Sequence, residues 1–406
     1  MSDHDAPRPE TLLITLTGKD RPGVTSSIFE TLARSGVEVV DIEQIVLRRR
    51  LILGVLVTVP QEWERLRDEI EETARTLDMT VDVEPGLGDT KTRLGRSHVT
   101  IIGTPLQAGA MAAVAGRIAE CGANIDRIER MARYPVIAID LHVSGADPEV
   151  LRPVLASEAA RQGLDIAVQP ANLMRRGMRL IVMDVDSTLI QGEVIEMLAA
   201  HAGFEAEVAE ITESAMRGEL DFEASLRARV RLLAGVPAAA IDEVYDSIVL
   251  NPGARTMVRT LRRLGYRFAI VSGGFSQITD RLAADLGIHF ARANELEIVD
   301  GLLTGRIVGP VVDRAGKAQA LREFAAELGL TEASVIAIGD GANDLDMLNA
   351  AGLGIAYNAR PVVREAADTA VNVPYLDTII YLLGISREEV EAADAEAGFV
   401  TPAPPV

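Results

Sequence analysis

The sequence predicts an α/β protein in which a doubly wound parallel core with a helical cap follows two copies of a small α+β module. Three observations carry this. A strand, a glycine-bearing loop, a helix and a strand occur twice before residue 173, and short apolar strands alternate with helices after residue 178. A mostly helical, amphipathic insertion then interrupts that alternation over about 193–250. At 406 residues the chain exceeds one ordinary core, in keeping with such a division.

The first copy opens on the apolar run 11–18 and turns through Gly18-Lys19-Asp20-Arg21-Pro22-Gly23. It continues as a helix over 24–35, stops at Gly36 and re-enters a strand at 37–42. The second repeats this order from His98: a strand over 99–103, a loop to Gly109, a helix to Cys121, then Gly122 and a strand over 123–128. Any one of these glycines needs no more than a tight strand-to-helix turn. The repeated order of elements is what marks a duplicated module. Residues 84–96, with three glycines and alternating charge, read as the linker between copies. The expected division is 1–10 disordered, modules at 11–90 and 97–173, the core at 178–390, and a tail at 391–406.

In the core, 180–184, 267–271 and 334–338 are short apolar runs of the kind buried in a parallel sheet. Helical stretches over 254–264 and 317–328 separate them. Asp300-Gly301 between β-like runs within 294–311 predicts a hairpin. A doubly wound sheet places its active site at the carboxyl ends of its strands.

Charge and composition exclude several classes. The net charge of −20 opposes a nucleic-acid partner, whose phosphates are held by clustered Lys and Arg. The basic run Arg48-Arg49-Arg50 lies between two β-like stretches and reads as a solvated strand end. No apolar run is long enough to span a membrane, and the polar residues 1–10 carry no signal core, so a cytoplasmic address is expected. One cysteine, Cys121, excludes an internal disulfide and a thiolate metal cluster; with only five histidines, hard oxygen ligands are the expected metal donors.

The chemistry-bearing residues fall at strand ends. Asp184-Val185-Asp186-Ser187-Thr188 follows the first core strand, and carboxylates at i and i+2 on an extended backbone point the same way. Burying both demands a cation or a shared proton, whereas helix capping would need only one. Ser272-Gly273-Gly274 ends the second strand with a hydroxyl and amides that a phosphate can approach. Lys317 stands before a helix, and Gly339-Asp340-Gly341-Ala342-Asn343-Asp344 is an acidic glycine-rich turn after the third strand. Each alone is an ordinary turn or a solvated lysine. Their order, each beside a strand end, is specific.

These motifs, across about 178–390, resemble the haloacid dehalogenase-like phosphatases: a DxDxT signature at Asp184–Thr188, then Ser272, Lys317 and the Asp340 turn. The two N-terminal copies resemble ACT domains, ferredoxin-like modules that pair with one another and bind amino acids at their interfaces. The match rests on the Gly18–Gly23 loop, from which the second copy departs with Gly103-Thr104-Pro105-Leu106-Gln107-Ala108-Gly109. With two such modules in front, the likeness is nearest to the members that hydrolyse phosphoserine.

The resemblance implies a Rossmann-like core and a Mg²⁺ site formed by Asp184, Asp340 and the backbone carbonyl of Asp186. It makes Asp184 the nucleophile, Asp186 the general acid–base, and Ser272, Gly273 and Lys317 the phosphoryl contacts. Asn343 and Asp344 position Lys317 and metal-bound water. It also assigns Glu193 to the substrate ammonium, Arg229 to its carboxylate, and Met216 and Phe222 to the pocket wall. Without it, Glu193 reads as a helix cap, Arg229 as part of a basic run (Arg227, Arg229, Arg231), and Met216 and Phe222 as cap core. For the first module it implies serine as regulatory ligand at Gly18, Asp20 and Gly23, and pairing of modules implies a homodimer. Two other readings stay open: a phosphatase for another small phosphomonoester or a phosphoprotein, and an amino-acid-responsive regulator with a vestigial phosphatase fold.

Overall fold

A computed structural model describes residues 11–86, 95–177, 179–216 and 221–401. The expected disordered N-terminus lies outside the described residues, as does most of the expected linker. The chain divides into two compact units, one ending at Thr92 and the other beginning at Arg93.

The first unit is an antiparallel sheet with two helices on one face. Its strands are β1 (Thr11–Lys19), β2 (Val39–Leu47), β3 (Arg50–Thr58) and β4 (Met79–Gly86), in the order β2-β3-β1-β4. Alternation decides which face is covered. Leu12, Ile14 and Leu16 of β1 are buried with Ile28 and Leu32 of the helix Val24–Arg34 and with Leu66 and Ile70 of the helix Trp63–Thr76. The basic run forms the tight turn from β2 to β3, with Arg48 and Arg49 at positive φ. At the outer edge, every residue of β2 is exposed, including Val39, Ile42 and Ile45.

The second unit begins with the same arrangement: β5 (Ser97–Gly103), β6 (Asn124–Ala132), β7 (Ile137–Ser144) and β8 (Asp165–Pro170), in the order β6-β7-β5-β8. Here the open face is not free. Ile102, Ala132, Ala138 and Ala167 belong to one apolar cluster with residues of the α/β core such as Ile379, Ile380 and Leu382. Polar contacts close the seam. The buried Arg175 guanidinium donates to both oxygens of Asp140 (3.1 and 3.2 Å) and to the Leu382 carbonyl (3.0 Å). Asp140 also accepts from Thr100 (2.8 Å) and lies 2.7 Å from His98 Nδ1. Asp165 accepts from the backbone amides of Asn372 and Val373.

The α/β core is a seven-stranded sheet: β9 (Leu180–Met183), β10 (Arg267–Phe275), β11 (Phe290–Val299), β12 (Leu302–Val308), β13 (Val335–Gly339), β14 (Leu353–Tyr357) and β15 (Thr369–Val371). The order β12-β11-β10-β9-β13-β14-β15 puts β9 in the middle, with the chain proceeding outward first on one side and then on the other. All pairs are parallel except β11 with β12, a hairpin turning at Asp300 and Gly301, both at positive φ. The sheet reverses direction of growth at β9, so the crevice lies beyond its carboxyl end.

The insertion supplies helices Val194–Ala202, Glu205–Met216, Phe222–Arg231 and Ala239–Ser247. The tail boundary expected at 390 falls inside the helix Arg387–Glu396. There the fully buried Asp394 accepts from Arg259 and from Arg263, the latter at 2.6 Å. No helix among the described residues is long and apolar enough to cross a membrane.

Candidate active site

Register builds the site. Met183 of β9 pairs with Ile270 of β10 and Ile338 of β13, so the next residues of all three strands emerge together. Those are Asp184, Ser272 one step further along, and Asp340 after Gly339. The Asp184 amide donates to the Ile338 carbonyl (2.9 Å), extending the ladder to Asp184 itself.

Lys317 reaches this point from a helix whose Ala320 and Leu321 pack with Leu180 and Val182 of β9. It lies in the first turns of the helix Arg314–Glu327, not before it as expected from sequence. The Asp313 side chain accepts from Gly316 N and caps the helix three residues earlier. The fully buried Lys317 ammonium donates to Asp184 Oδ1 and Asp344 Oδ1, both at 2.7 Å. Burial alone would lower its pKa, but the two carboxylates outweigh that and hold it above the ordinary lysine value.

Asp184, Asp340 and Asp344 bring carboxylate oxygens within 4.8 Å of one another. One ammonium does not balance them. Burial, then repulsion from Asp344, raises the Asp184 pKa well above the carboxylate range, and the same causes push Asp340 up to about 6. Such a buried excess of hard, anionic oxygen fits a small divalent cation. Thr188 Oγ1 fixes Asp340 by donating to its Oδ1 at 2.8 Å, a role the spacing of the first motif did not reveal.

Asp186 is held at both oxygens: Oδ1 accepts from the Val194 amide (2.8 Å) and Oδ2 from Ser272 Oγ (2.9 Å). Ser272 Oγ in turn accepts from Gly274 N at 2.7 Å. A Cβ on Gly274 would stand 2.9 Å from Ser272 Oγ and 3.0 Å from Asp186 Oδ2, so only glycine lets this turn close on the carboxylate. Buried Asn294, which sequence reasoning also missed, donates to the Gly273 carbonyl and accepts from Val312 N, both at 2.8 Å.

The cap residues converge on the same crevice. Glu193 precedes the helix Val194–Ala202 but makes no capping bond, because Asp186 takes the Val194 amide instead. The Glu193 carboxylate accepts from Ser187 Oγ at 3.3 Å. Burial, with the charges of Asp186 and Asp340, raises its pKa to about 7. In the basic run, Arg227 pairs with Glu223 and Arg231 donates to the Arg227 carbonyl. Arg229 differs. Its Nε is buried without a hydrogen-bond partner among the described residues, and burial lowers its pKa. A buried guanidinium atom left unpaired suits an anionic ligand. Phe222 stands over Gly273, since a Cβ there would meet its ring at 3.0 Å. Asn343 is half-buried at the acidic turn, folded over Gly341. Met216, expected in the pocket wall, ends the helix Glu205–Met216, and the placement of its side chain is not described.

Gly18, Asp20 and Gly23, expected to hold a regulatory ligand, belong to the first unit. A Cβ on Gly18 would overlap the Met79 sulfur, Gly23 has φ +96°, and the Asp20 amide donates to the Arg49 carbonyl at 2.8 Å. Packing and backbone geometry thus account for both glycines. The exposed Asp20 side chain has no such account.

Comparison with known proteins agrees with this geometry. The haloacid dehalogenase-like hydrolase family matches residues 181–349, and ACT domain families match 10–84 and 96–169. A HAD family hydrolase from Salmonella enterica serovar Typhi superposes with a TM-score of 0.62 at 31% identity, over 71% of this chain and 98% of its own. The fold and site therefore define a haloacid dehalogenase-like hydrolase with two ACT modules. The phosphoserine phosphatase of Streptomyces coelicolor is 60% identical over 95% of both chains. That of Mycobacterium tuberculosis is 52% identical over 96% of this chain and 97% of its own. The chain belongs to the phosphoserine phosphatase family.

Proposed function

We propose that the protein is a cytoplasmic enzyme that hydrolyses O-phospho-L-serine to L-serine and phosphate, the last step of serine formation, through an aspartyl-phosphate on Asp184. The observation that carries this reading is that Glu193 and Arg229, whose Nε is buried without a hydrogen-bond partner among the described residues, lie near enough for their charges to act on each other and on Asp186. A carboxylate and a guanidinium suit the ammonium and carboxylate of an amino acid, and a generic phosphomonoester has no use for both.

The residues act as follows. Asp184 attacks phosphorus in line, and Asp186 delivers a proton to the departing serine oxygen. Asp186 then takes a proton from the water that opens the acyl phosphate. Ser272 Oγ, the Gly273 amide and Lys317 Nζ stabilise charge on the transferring phosphoryl oxygens. Asn343 and Asp344 hold Lys317 and water in place. Asp184, Asp340 and the Asp186 carbonyl would hold Mg²⁺, which when bound offsets the repulsion between nucleophile and phosphate dianion. Phe222 excludes water above Gly273.

The regulatory part of the reading is that free serine binds the first module at Asp20, beside Gly18 and Gly23, and favours a less active arrangement. The apolar, unpaired outer edge of β2 supports association with a second copy of the chain as a homodimer. A panel of small phosphomonoesters and phosphopeptides, assayed for phosphate release with Mg²⁺ and with EDTA, tests the catalytic reading. Phosphoserine should lead the panel and EDTA should abolish release. A better non-amino-acid substrate would overturn the assignment of Glu193 and Arg229.

A further inference from the structure

The chain crosses between core and cap twice, and the crossings run side by side. Ile190 and Leu250 form an isolated antiparallel bridge, and Gln191 N donates to the Val249 carbonyl at 2.8 Å. Asn251 stands where the chain returns. Its backbone amide donates to the Leu189 carbonyl (2.9 Å), and its side-chain nitrogen faces three carbonyl oxygens: Thr188 at 2.7 Å, Ser187 at 3.3 Å and Ile190 at 3.3 Å. Three acceptors around one atom require that atom to be the donor nitrogen.

What Asn251 grips matters more than how many bonds it makes. Thr188 holds Asp340 through its hydroxyl, and Ser187, at φ +58°, donates to Glu193. Both residues are thus pinned at their carbonyls by one amide while their side chains orient a metal-site carboxylate and a cap carboxylate. On its other side the clamp is anchored to the core, for the Leu376 amide donates to the Pro252 carbonyl at 2.8 Å.

We propose that Asn251 is a positioning residue: it locks the returning strand of the cap to the Ser187–Thr188 backbone, and so sets Asp340 and Glu193 against the nucleophile. The proposal rests on the phosphoserine reading above. If the wild-type enzyme releases no phosphate from phosphoserine, that reading fails, and the Mg²⁺ affinity of the Asn251 variants still decides the present one.

The test compares Asn251→Ser, Asn251→Ala and Asn251→Asp in the full chain, with melting temperature as the check on folding. Phosphoserine kcat/KM should fall about 10–100-fold in Asn251→Ala, the scale of a small misplacement of reacting groups. Asn251→Asp keeps the shape but turns an acceptor toward three carbonyl oxygens, so it should fall further. Asn251→Ser retains a short donor, should exceed Asn251→Ala, and is the variant to use if another fails to fold. Mg²⁺ affinity, read by calorimetry without substrate, should weaken in Asn251→Ala alongside the rate. A packing role would instead preserve Asn251→Asp above Asn251→Ala. That order, or an Asn251→Ala enzyme with wild-type kcat/KM and Mg²⁺ affinity, overturns the proposal.

Discussion

Asp344 accepts from the Lys317 ammonium at one carboxylate oxygen (2.7 Å) and from the Gly341 amide at the other (2.9 Å). Both oxygens are therefore occupied, although the residue lies within the acidic cluster. Asp344→Asn should leave Mg²⁺ affinity close to wild type while lowering kcat about 10–100-fold, as Lys317 loses an orienting charge. Loss of Mg²⁺ binding, measured by calorimetry, would instead make Asp344 a ligand.

For the nucleophile, Asp184→Asn should abolish turnover, since an amide is a poor nucleophile and a poorer metal donor. Asp186→Asn should cripple turnover yet keep most Mg²⁺ affinity, because the ligand expected there is a backbone oxygen. Rapid turnover by Asp184→Asn, with reversion to Asp excluded by mass spectrometry, would end the aspartyl-phosphate mechanism.

How much of this was legible in the sequence depends on how local the cause is. An apolar run followed by Asp, Ser-Gly-Gly or Gly-Asp-Gly announces a strand and its functional end, and register then brings those ends together. Asn251, Asn294 and the Thr188–Asp340 contact gave no such notice, because each partner lies on a different strand or crossing. The face of the second ACT module was equally silent. Ile102 and Ala138 alternate as in any half-open sheet, and only the fold reveals that the catalytic core covers them. Lys317 was misplaced relative to its helix because the cap, Asp313, stands one turn earlier than the apolar pattern implied.

Specificity should divide at Arg229. Arg229→Ala leaves the substrate carboxylate unpaired in a closed site, with an expected loss of about 2–5 kcal/mol in phosphoserine kcat/KM. An aryl phosphate, which has no such carboxylate, should lose little. Equal losses on both substrates would assign Arg229 to cap folding.

The pH profile tests Glu193. Its pKa is raised to about 7 in the free enzyme, so below that value the side chain is increasingly neutral and cannot pair with an ammonium. Phosphoserine kcat/KM should rise with pH through about 7 more steeply than that of an aryl phosphate. The second ionisation of the phosphate itself, near pH ~6, affects both substrates and cancels in the comparison. Glu193→Gln should remove the difference. Parallel profiles for the two substrates in wild-type enzyme would dismiss the ammonium role.

Regulation is tested by Asp20→Ala in the intact protein. At subsaturating phosphoserine, inhibition by free serine should weaken, whereas wild-type inhibition would remove Asp20 from any regulatory role.

The second ACT module cannot be cut away without exposing the core surface that it covers. Starting the chain near residue 176 would strip cover from Ile379, Ile380 and Leu382 and leave a greasy wall in water, a hazard for solubility. Descent by exchange of parts meets the same constraint, because the second module can move only with a matching surface on its host.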